Sequence, residues 1–464
     1  MQHSYQLSRH PIGSLKEIWA ISWPLMLGLL SGSLMMFADR LILARYSTES
    51  LTATITSGLA VYVVLIIPLV TAGISEVFVG RYNGASQLEK IGKPVWQMIW
   101  LSMLCIPFFW LSTQLLPYFL FQDPTIAAQE TEYFTWMVYF APAFCSTIAL
   151  MGFFIGIGKV KLVTLSAFSG NILNIILGVT LIFGFGPIPS MGIKGAAIGT
   201  GLSQLCQTLF LLFFFLSPSN RNTYKTNHWR FDQTEFKENV RIGAPAGLGK
   251  FLELCAHLIF FQLIKSSGIN TVTIVGMVQS FYLLSSFLIE GLSKGVSSIS
   301  ANLLGAGQMH LVKKVMNSAM LLQSALASIL FGIFFFFSGF LFNTFFPEQH
   351  TLLSNPYVFS TLTTALYWMA LFFLLDGFGW IYAGFLTASG DTKFLLYAGI
   401  GLNWLGYILP TYILFNMTPF GNAANGWMIV AIYAFFTFIT YWLRFRSGKW
   451  SQSFHPELIE KLAT

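Results

Sequence analysis

The run FLLYAGIGLNWLGYILPTYILFNMTPFGNAANGWMIVAIYAFFTFITYWL, Phe394 to Leu443, holds 50 residues without a single Asp, Glu, Lys or Arg. A helix rises 1.5 Å per residue, so about 20 apolar residues cross a ~30 Å hydrocarbon core, and a run of this length crosses twice. The polar stretch Asn416 to Asn425 divides it into two spans. Working outward, charge-free runs recur at Ile18 to Ala38, Ser50 to Ser75, Pro94 to Gln122, Tyr133 to Gly158, Leu162 to Ile193, Gly195 to Asn220, Ser266 to Ile289, Gly295 to Val312, Val315 to Pro347 and Gln349 to Leu375. With a seventh helix that carries Lys250 and Glu253, the chain reads as an all-α membrane protein of twelve spans. Its composition agrees: 464 residues, 55% hydrophobic and 9% charged, with a mean hydropathy of +0.67.

That reading excludes several classes. The longest polar segment, Ser217 to Arg241, is far shorter than the ~40 residues a self-standing domain needs, so an attached ATPase has no room. No phosphate-binding loop is present either, since Gly243 to Lys250 reads GAPAGLGK, with the wrong spacing and Phe251 where a hydroxyl is required. Any pumping would therefore draw on an ion gradient or a partner, and no cofactor is expected. The four cysteines (Cys105, Cys145, Cys206, Cys255) lie in apolar stretches without CxxC spacing and read as small core residues.

The net charge of +7 comes from topology rather than nucleic acid. With both termini in the cytoplasm, 19 Lys and Arg fall inside and 3 outside (Arg45, Lys194, Lys265), while Arg40, Lys250 and Lys294 stay within spans. The bias places Ser217 to Arg241 in the cytoplasm, and the expected location is a bacterial cytoplasmic (inner) membrane.

The chain also repeats. Lys16-Glu17 followed by Pro24 and Gly28 returns as Lys237-Glu238 followed by Pro245 and Gly249, an offset of 221, and Gly84-Ala85-Ser86-Gln87 returns at that offset as Gly305-Ala306-Gly307-Gln308. Further on, Gly158-Lys159-Val160-Lys161 with Asn171 matches Gly390-Asp391-Thr392-Lys393 with Asn403, offset 232. Two six-helix copies enter the membrane in the same orientation, related by an axis along the membrane normal, and such pairs place a binding site between them near midplane. The expected division is an N-terminal six-helix lobe at 1–216, a cytoplasmic linker with the entry to the seventh helix at 217–241, and a C-terminal six-helix lobe at 242–464.

Ionisable residues inside spans cost roughly 2.5 to 3.5 kcal/mol at helix centre, so they face protein or water and are functional candidates. They are Asp39, Glu76, Lys250, Glu253, Glu290, Lys294 and Asp376, with His257 as a neutral addition. Glu290 and Lys294, four apart with the carboxylate first, read as a structural ion pair. Glu76, near the cytoplasmic end of its helix with Arg81 beyond, reads as snorkelling or solvated. Asp39 follows 21 uncharged residues and its neighbour Arg40 points about 100° away, while Asp376 stands between uncharged runs of 27 and 14 residues. Glu253 has Lys250 three before it and His257 four after. A buried carboxylate can exchange a proton, bind Na⁺ or meet a cationic substrate, and Phe372, one turn before Asp376, offers its ring face to a cation. Pro24 and Pro245 remove a backbone hydrogen bond in the first helix of each copy and permit a kink.

In this order and spacing, Pro24 with Asp39, the Gly80 to Ala85 loop, Pro245 with Glu253, Gly305 to Gln308, and Asp376 with Ala388-Ser389-Gly390-Asp391-Thr392 resemble the multidrug and toxic compound extrusion (MATE) transporters over essentially the whole chain. Asp39, Glu253 and Asp376 look like the acidic set of the NorM-like bacterial branch. The resemblance implies two six-helix lobes around a cavity, with efflux of amphipathic organic cations against inward Na⁺ or H⁺ by alternating access. It carries coupling onto Asp39, Glu253 and Asp376, with Glu253 and Asp376 as the pair that would hold Na⁺. Asn171, Asn174, Phe372 and Asn403 are expected to line the substrate cavity, Pro24 and Pro245 to act as hinges, and the protein to work as a monomer among membrane lipids. Asn171 and Asn174 lack the second carboxylate that other branches place there. Lys250 and Glu290 match no family pattern. A lipid-linked oligosaccharide or lipid flippase of the same superfamily would need a cationic cavity, and a multispan membrane enzyme would need a catalytic cluster. The mainly acidic intramembrane set disfavours the first, and the lone intramembrane histidine disfavours the second.

Overall fold

The computed structural model describes residues 7–346 and 354–453. Among the described residues, eleven helices are long and apolar enough to cross a membrane, or twelve if one bent pair counts as a span. In chain order they are α1 (Leu15–Tyr46), α2 (Thr48–Gly84), α3 (Leu88–Leu120), α4 (the pair Ala127–Tyr139 and Ala141–Gly156), α5 (Val160–Phe183), α6 (Gly192–Phe215), α7 (Gln233–Ser267), α8 (Ile269–Gly305), α9 (Met309–Phe345), α10 (Pro356–Ser389), α11 (Thr392–Met417) and α12 (Ala423–Arg446). The halves of α4 meet at 43°. Pro142, one residue into the second half, has no N–H to offer the carbonyl four residues earlier, which accounts for the break.

One helix end differs from the sequence reading. The Gly80 to Ala85 stretch, expected as a loop, is helical through Gly84, and Glu76 and Arg81 are buried in it (9% and 2% exposed) rather than solvated. The second half of α4 packs against Glu76 at Gly152 and Gly156, and the end of α8 packs against Arg81 at Gly305. The polar stretch holds a short helix, Pro218–Tyr224, and α7 starts at Gln233, within the stretch read as linker and entry to the seventh helix. Asp232 caps it, its Oδ1 accepting the backbone N–H groups of Thr234 at 3.0 Å and Glu235 at 3.1 Å.

The chain divides into two compact units. The first takes residues 1–8, Leu27–Phe251 and Ala301–Gln308; the second takes Arg9–Met26, Leu252–Ser300 and 309–464. Within the first, α5 packs along α6, and the early part of α7 lies on α2: a Cβ on Gly247 would stand 2.6 Å from the Ile67 carbonyl oxygen, and one on Gly243 would stand 2.9 Å from that of Thr71 and 3.2 Å from the Ile74 side chain. Within the second unit α10 packs along α12, and the early part of α1 lies on α8 in the same way. A Cβ on Gly291 would stand 2.5 Å from the Met26 side chain, and one on Gly295 would stand 2.1 Å from Ser22 Oγ. These contacts are copies of each other, since Ser22 and Met26 lie 221 residues before Gly243 and Gly247, and Ile74 lies 221 before Gly295. Lipid gives two apolar helices little reason to associate, so close backbone approach at small residues is what holds such pairs.

The repeated motif Gly84-Ala85 and Gly305-Ala306 has the same cause. In the first unit the end of α8 meets the end of α2: a Cβ on Gly84 would be 1.9 Å from the Asn302 carbonyl oxygen, and one on Gly305 would be 2.0 Å from the Arg81 carbonyl oxygen. Each glycine touches the repeat mate of the residue that the other touches. Asn302 completes the contact, accepting Asn83 Nδ2 at 2.8 Å and donating to the Gly156 carbonyl at 2.9 Å.

Candidate functional site

In the second unit, five helices bring polar groups together inside an otherwise apolar core built on Phe260, Val278, Leu366, Met369 and Trp427. Helix α7 supplies Glu253 and His257, α8 supplies Tyr282, α10 supplies Phe372 and Asp376, α11 supplies Asn403 and Tyr407, and α12 supplies Tyr433 and Tyr441. Tyr282 donates its hydroxyl to Asp376 Oδ2 at 3.0 Å. Tyr433 donates to Asn403 Oδ1 at 2.8 Å. Asn403 and Tyr407 ride on a π-helical segment, Leu402–Ile408, just before Pro410, whose missing N–H frees the ladder to widen.

Glu253 and Asp376 converge: both stand within electrostatic range of Tyr282, Tyr433 and Tyr441. Around them the rings are close. Tyr407 stacks on Tyr433 with centroids 5.2 Å apart and lies 5.0 Å from Phe260, and Phe372 lies 5.0 Å from Tyr282. The His257 ring is 5.6 Å from Tyr407, with Nδ1 3.1 Å from the Glu253 carbonyl oxygen of its own helix. Among the described residues no three His, Cys, Asp or Glu side chains form a metal cluster. A hard cation here would therefore combine two carboxylates with neutral oxygens, and the Tyr282 hydroxyl and Asn403 amide supply these.

The first unit holds the other predicted residues in a different setting. Asp39, on α1, is half-buried, with Oδ1 3.9 Å from where a Cβ on Gly178 would stand. Tyr133, on the first half of α4, lies within its electrostatic range. Asn171 donates to Ser31 Oγ at 2.6 Å, and Asn174, 1% exposed, donates to Thr200 Oγ1 at 2.9 Å. Uncharged hydrogen bonds continue from α6 to α4, with Gln204 donating to Thr147 at 2.7 Å and Thr147 meeting Thr208 at 2.7 Å.

Glu253, Asp376, Phe372 and Asn403 thus share one site, and Asp39, Asn171 and Asn174 belong to the first unit. Pro24 and Pro245 lie close to where α1 and α7 pass between units, at Leu27 and Leu252 respectively. Glu290 and Lys294 form the expected ion pair at 3.4 Å. Cys145 is buried as expected, but Cys206 is exposed, because α6 presents it on an outer face. The sequence reading missed the tyrosines. The available signal was that a Tyr hydroxyl inside an apolar span needs a partner, and Tyr282, Tyr407, Tyr433 and Tyr441 all lie in such spans.

The pattern of the MatE family matches residues 24–180 and 245–413. The two matched segments begin at Pro24 and Pro245, 221 residues apart, which is the offset of the internal repeat. A probable multidrug resistance protein NorM of Mesorhizobium japonicum is 22% identical over 449 residues, covering 93% of this chain and 94% of that protein. The multidrug resistance protein MdtK of Photorhabdus laumondii is 24% identical over 393 residues, covering 80% and 84%. The solved outward-facing structure of a multidrug resistance MATE family transporter superposes with a TM-score of 0.84 at 19% identity, covering 98% of this chain and 99% of that one.

Proposed function

We propose, because the chain belongs to the MatE family, that it is a secondary-active antiporter exporting amphipathic organic cations in exchange for inward Na⁺ or H⁺. Members of the family are transporters, not enzymes. The observation that carries the reading is the convergence of Glu253 and Asp376 on one set of tyrosines. Two carboxylates in low dielectric repel each other unless a cation or proton offsets them. An organic cation competes for the same charge while its apolar body lies against ring faces such as those of Phe372 and Tyr407. Coupling ion and drug then displace each other, which is the requirement for exchange. Asp39 acts as a coupling group of the first unit, with Asn171 and Asn174 nearby as uncharged substrate contacts. Asn403 joins Phe372 as a substrate contact of the second unit.

Pro24 and Pro245 serve as hinges where α1 and α7 pass between units. The working division is a lobe at 1–216, a linker at 217–241 and a lobe at 242–464, in the cytoplasmic membrane of a bacterium, as a monomer with both termini inside. To test coupling, the purified protein is reconstituted in liposomes, Na⁺ and pH gradients are imposed separately, and ethidium-driven ion flux is recorded. Flux under one gradient, lost in Asp376→Asn, supports antiport. Ethidium movement indifferent to both gradients, or selective movement of a lipid-linked oligosaccharide, rejects it. In a cysteine-free background, Ser219→Cys and Asn422→Cys should react with an impermeant thiol reagent from opposite sides, and reaction from one side sinks the topology.

A further inference from the structure

The linker is not a slack tether. Helix α3 carries Lys93, Trp96, Gln97 and Trp100 at i, i+3, i+4 and i+7, so all four lie on one face. Together they fasten the linker by its backbone. Trp96 Nε1 donates to the Thr226 carbonyl at 2.7 Å, Trp100 Nε1 donates to that of Trp229 at 2.8 Å, and Gln97 Nε2 donates to that of Arg230 at 3.1 Å. Gln97 Oε1 accepts the Asp232 N–H at 3.1 Å, and Lys93 pairs with the Asp232 carboxylate at 3.5 Å. With three carbonyls and the Asp232 N–H held by α3, the segment buries Thr226 and leaves two rings partly outside: Trp229 is 59% and Phe231 49% exposed. They border a cavity of about 740 Å³ lined by Lys93, Asn227, His228, Trp229, Arg230 and Phe231, with Asp232 and Gln233 completing it.

This cleft sits at head-group level. Helix α3 has 33 residues, roughly 50 Å at 1.5 Å each, which is about 20 Å more than the hydrocarbon core, so its first turns stand in the interface. Tryptophan favours that depth, and Arg and Lys beside it meet the anionic lipids of the cytoplasmic leaflet. Asp232, the one acid in the wall, is already engaged by Lys93 and by the N–H groups of Thr234 and Glu235. The Arg230 guanidinium has no ion pair among the described residues, and the amides of Asn227 and Gln233 add uncharged donors around it. The charge and polarity of the cleft are complementary to a phosphodiester, and the rings of Trp229 and Phe231 are complementary to the acyl chains beneath it.

We propose that this cleft binds the head group of an anionic phospholipid, and so ties the linker to the cytoplasmic leaflet. The proposal rests on the topology given above. Native mass spectrometry of the purified full chain, titrated with phosphatidylglycerol and phosphatidylcholine of matched acyl chains, tests it. Phosphatidylglycerol should be retained at least about five-fold over phosphatidylcholine, and Arg230→Gln should lower its retention about five-fold, the worth of one interfacial cation. His228→Gln should weaken retention less, Arg230→Lys should keep most of it, and Arg221→Gln, outside the cleft, should leave it unchanged. Unfolding temperatures measured on the same samples separate loss of the site from loss of the fold. Equal retention of both lipids, unchanged retention in a folded Arg230→Gln, or displacement of the lipid by millimolar inorganic phosphate would overturn it. Labelling of Ser219→Cys only from outside would overturn the choice of leaflet and the topology together, while lipid retention, read in detergent, would still report on the cleft.

Discussion

The two units use the same repeat differently, and the division between what is copied and what is not is informative. Contacts where backbones touch are copied: Gly84 answers Gly305, and Gly243 and Gly247 on α2 answer Ser22 and Met26 on α8. The intramembrane carboxylates are not copied. At the 221 offset the mate of Glu253 is Gly32 and the mate of Asp39 is Phe260; at the 232 offset the mate of Asp376 is Phe144. Glu253 and Asp376 of the second unit share Tyr282, Tyr433 and Tyr441, whereas Asp39 of the first has Tyr133 within its electrostatic range. Asn171 and Asn403 are mates, yet Asn171 donates to a serine of α1 while Asn403 accepts from Tyr433. The residue 232 before Tyr433 is Gly201, where a Cβ would collide with the Phe140 ring at 1.9 Å. The copied contacts belong to the scaffold, and the intramembrane carboxylates differ between the two units.

The largest effect should come from breaking a copied contact. Gly84→Val places a side chain where a carbonyl oxygen already lies 1.9 Å from the first carbon, and Gly305→Val does the same at 2.0 Å. Neither backbone can yield without moving its helix, so each variant should lose more than about 3 kcal/mol of stability. Gly32→Ala is the contrast: nothing stands within 4 Å, and a helical alanine is expected to be neutral or better by up to about 1 kcal/mol. Thermal unfolding in detergent reads all three. If Gly84→Val melts with wild type, close approach of the repeats is not what the motif serves.

Next is the uncopied chemistry. Asp376→Asn keeps shape but removes the charge that Tyr282 bonds, so ion-coupled efflux should fall at least about tenfold while the unfolding temperature stays near wild type. Asp39→Asn should also impair coupling. If Asp376→Asn pumps normally and Asp39→Asn does not, the asymmetry runs the other way, and the first unit carries the coupling.

A smaller effect is expected at the tyrosines. Tyr433→Phe leaves the buried Asn403 Oδ1 without its 2.8 Å donor, at a cost of about 1 kcal/mol. Tyr441→Phe should cost less, because the Tyr441 hydroxyl makes no hydrogen bond among the described residues. Equal losses would mean that ring packing, rather than the Asn403 bond, is what the cluster contributes to stability.

Much of this was legible in the sequence because of the physics that acts along the chain. Hydropathy marked the spans, and glycines that recur at a fixed offset marked the repeat. Glu253 and Asp376 stood out because a carboxylate in an apolar run is costly wherever it lies. What could not be read depended on partners from distant segments. Glu76 packs against Gly152 and Gly156, over 70 residues away, Arg81 meets Gly305, over 200 residues away, and the docking of the linker comes from α3. Tyr282 and Tyr433 gain their meaning from Asp376 and Asn403 on other helices. The Lys93, Trp96, Gln97, Trp100 stripe was visible as a pattern, but its target was a run of backbone carbonyls, which no side-chain pattern reveals.

The smallest effect concerns the starts of the two repeat-related helices. At α1, Ser14 Oγ accepts the Glu17 N–H at 3.2 Å while Glu17 Oε2 accepts the Gly13 N–H at 2.6 Å, a reciprocal cap. At α7, Asp232 caps alone, because Glu235 instead accepts the Tyr82 hydroxyl at 3.0 Å. The Glu235 N–H bond is the largest effect on the Asp232 carboxyl; burial opposes it, and Lys93 and the Thr234 N–H add to the lowering, so the group is held below its ordinary range. A lowered folded pKa means that the capping contribution is complete above the unfolded value of about 3.9 and fades as pH falls through the folded one. The linker should therefore stay docked from pH 8 to 5 and loosen only below about pH 4. Because Asp232 is over a third exposed, screening keeps its worth small, and Asp232→Ala should cost about 0.5 kcal/mol. Hydrogen exchange of residues 232–238 reads this: protection should drop in Asp232→Ala at pH 7, and Asp232→Asn, which still accepts the N–H groups, should retain it and lose the acid sensitivity. If Asp232→Asn loosens as much as Asp232→Ala, the Lys93 ion pair and not the cap fastens this helix, and the two starts differ in charge rather than in hydrogen bonding.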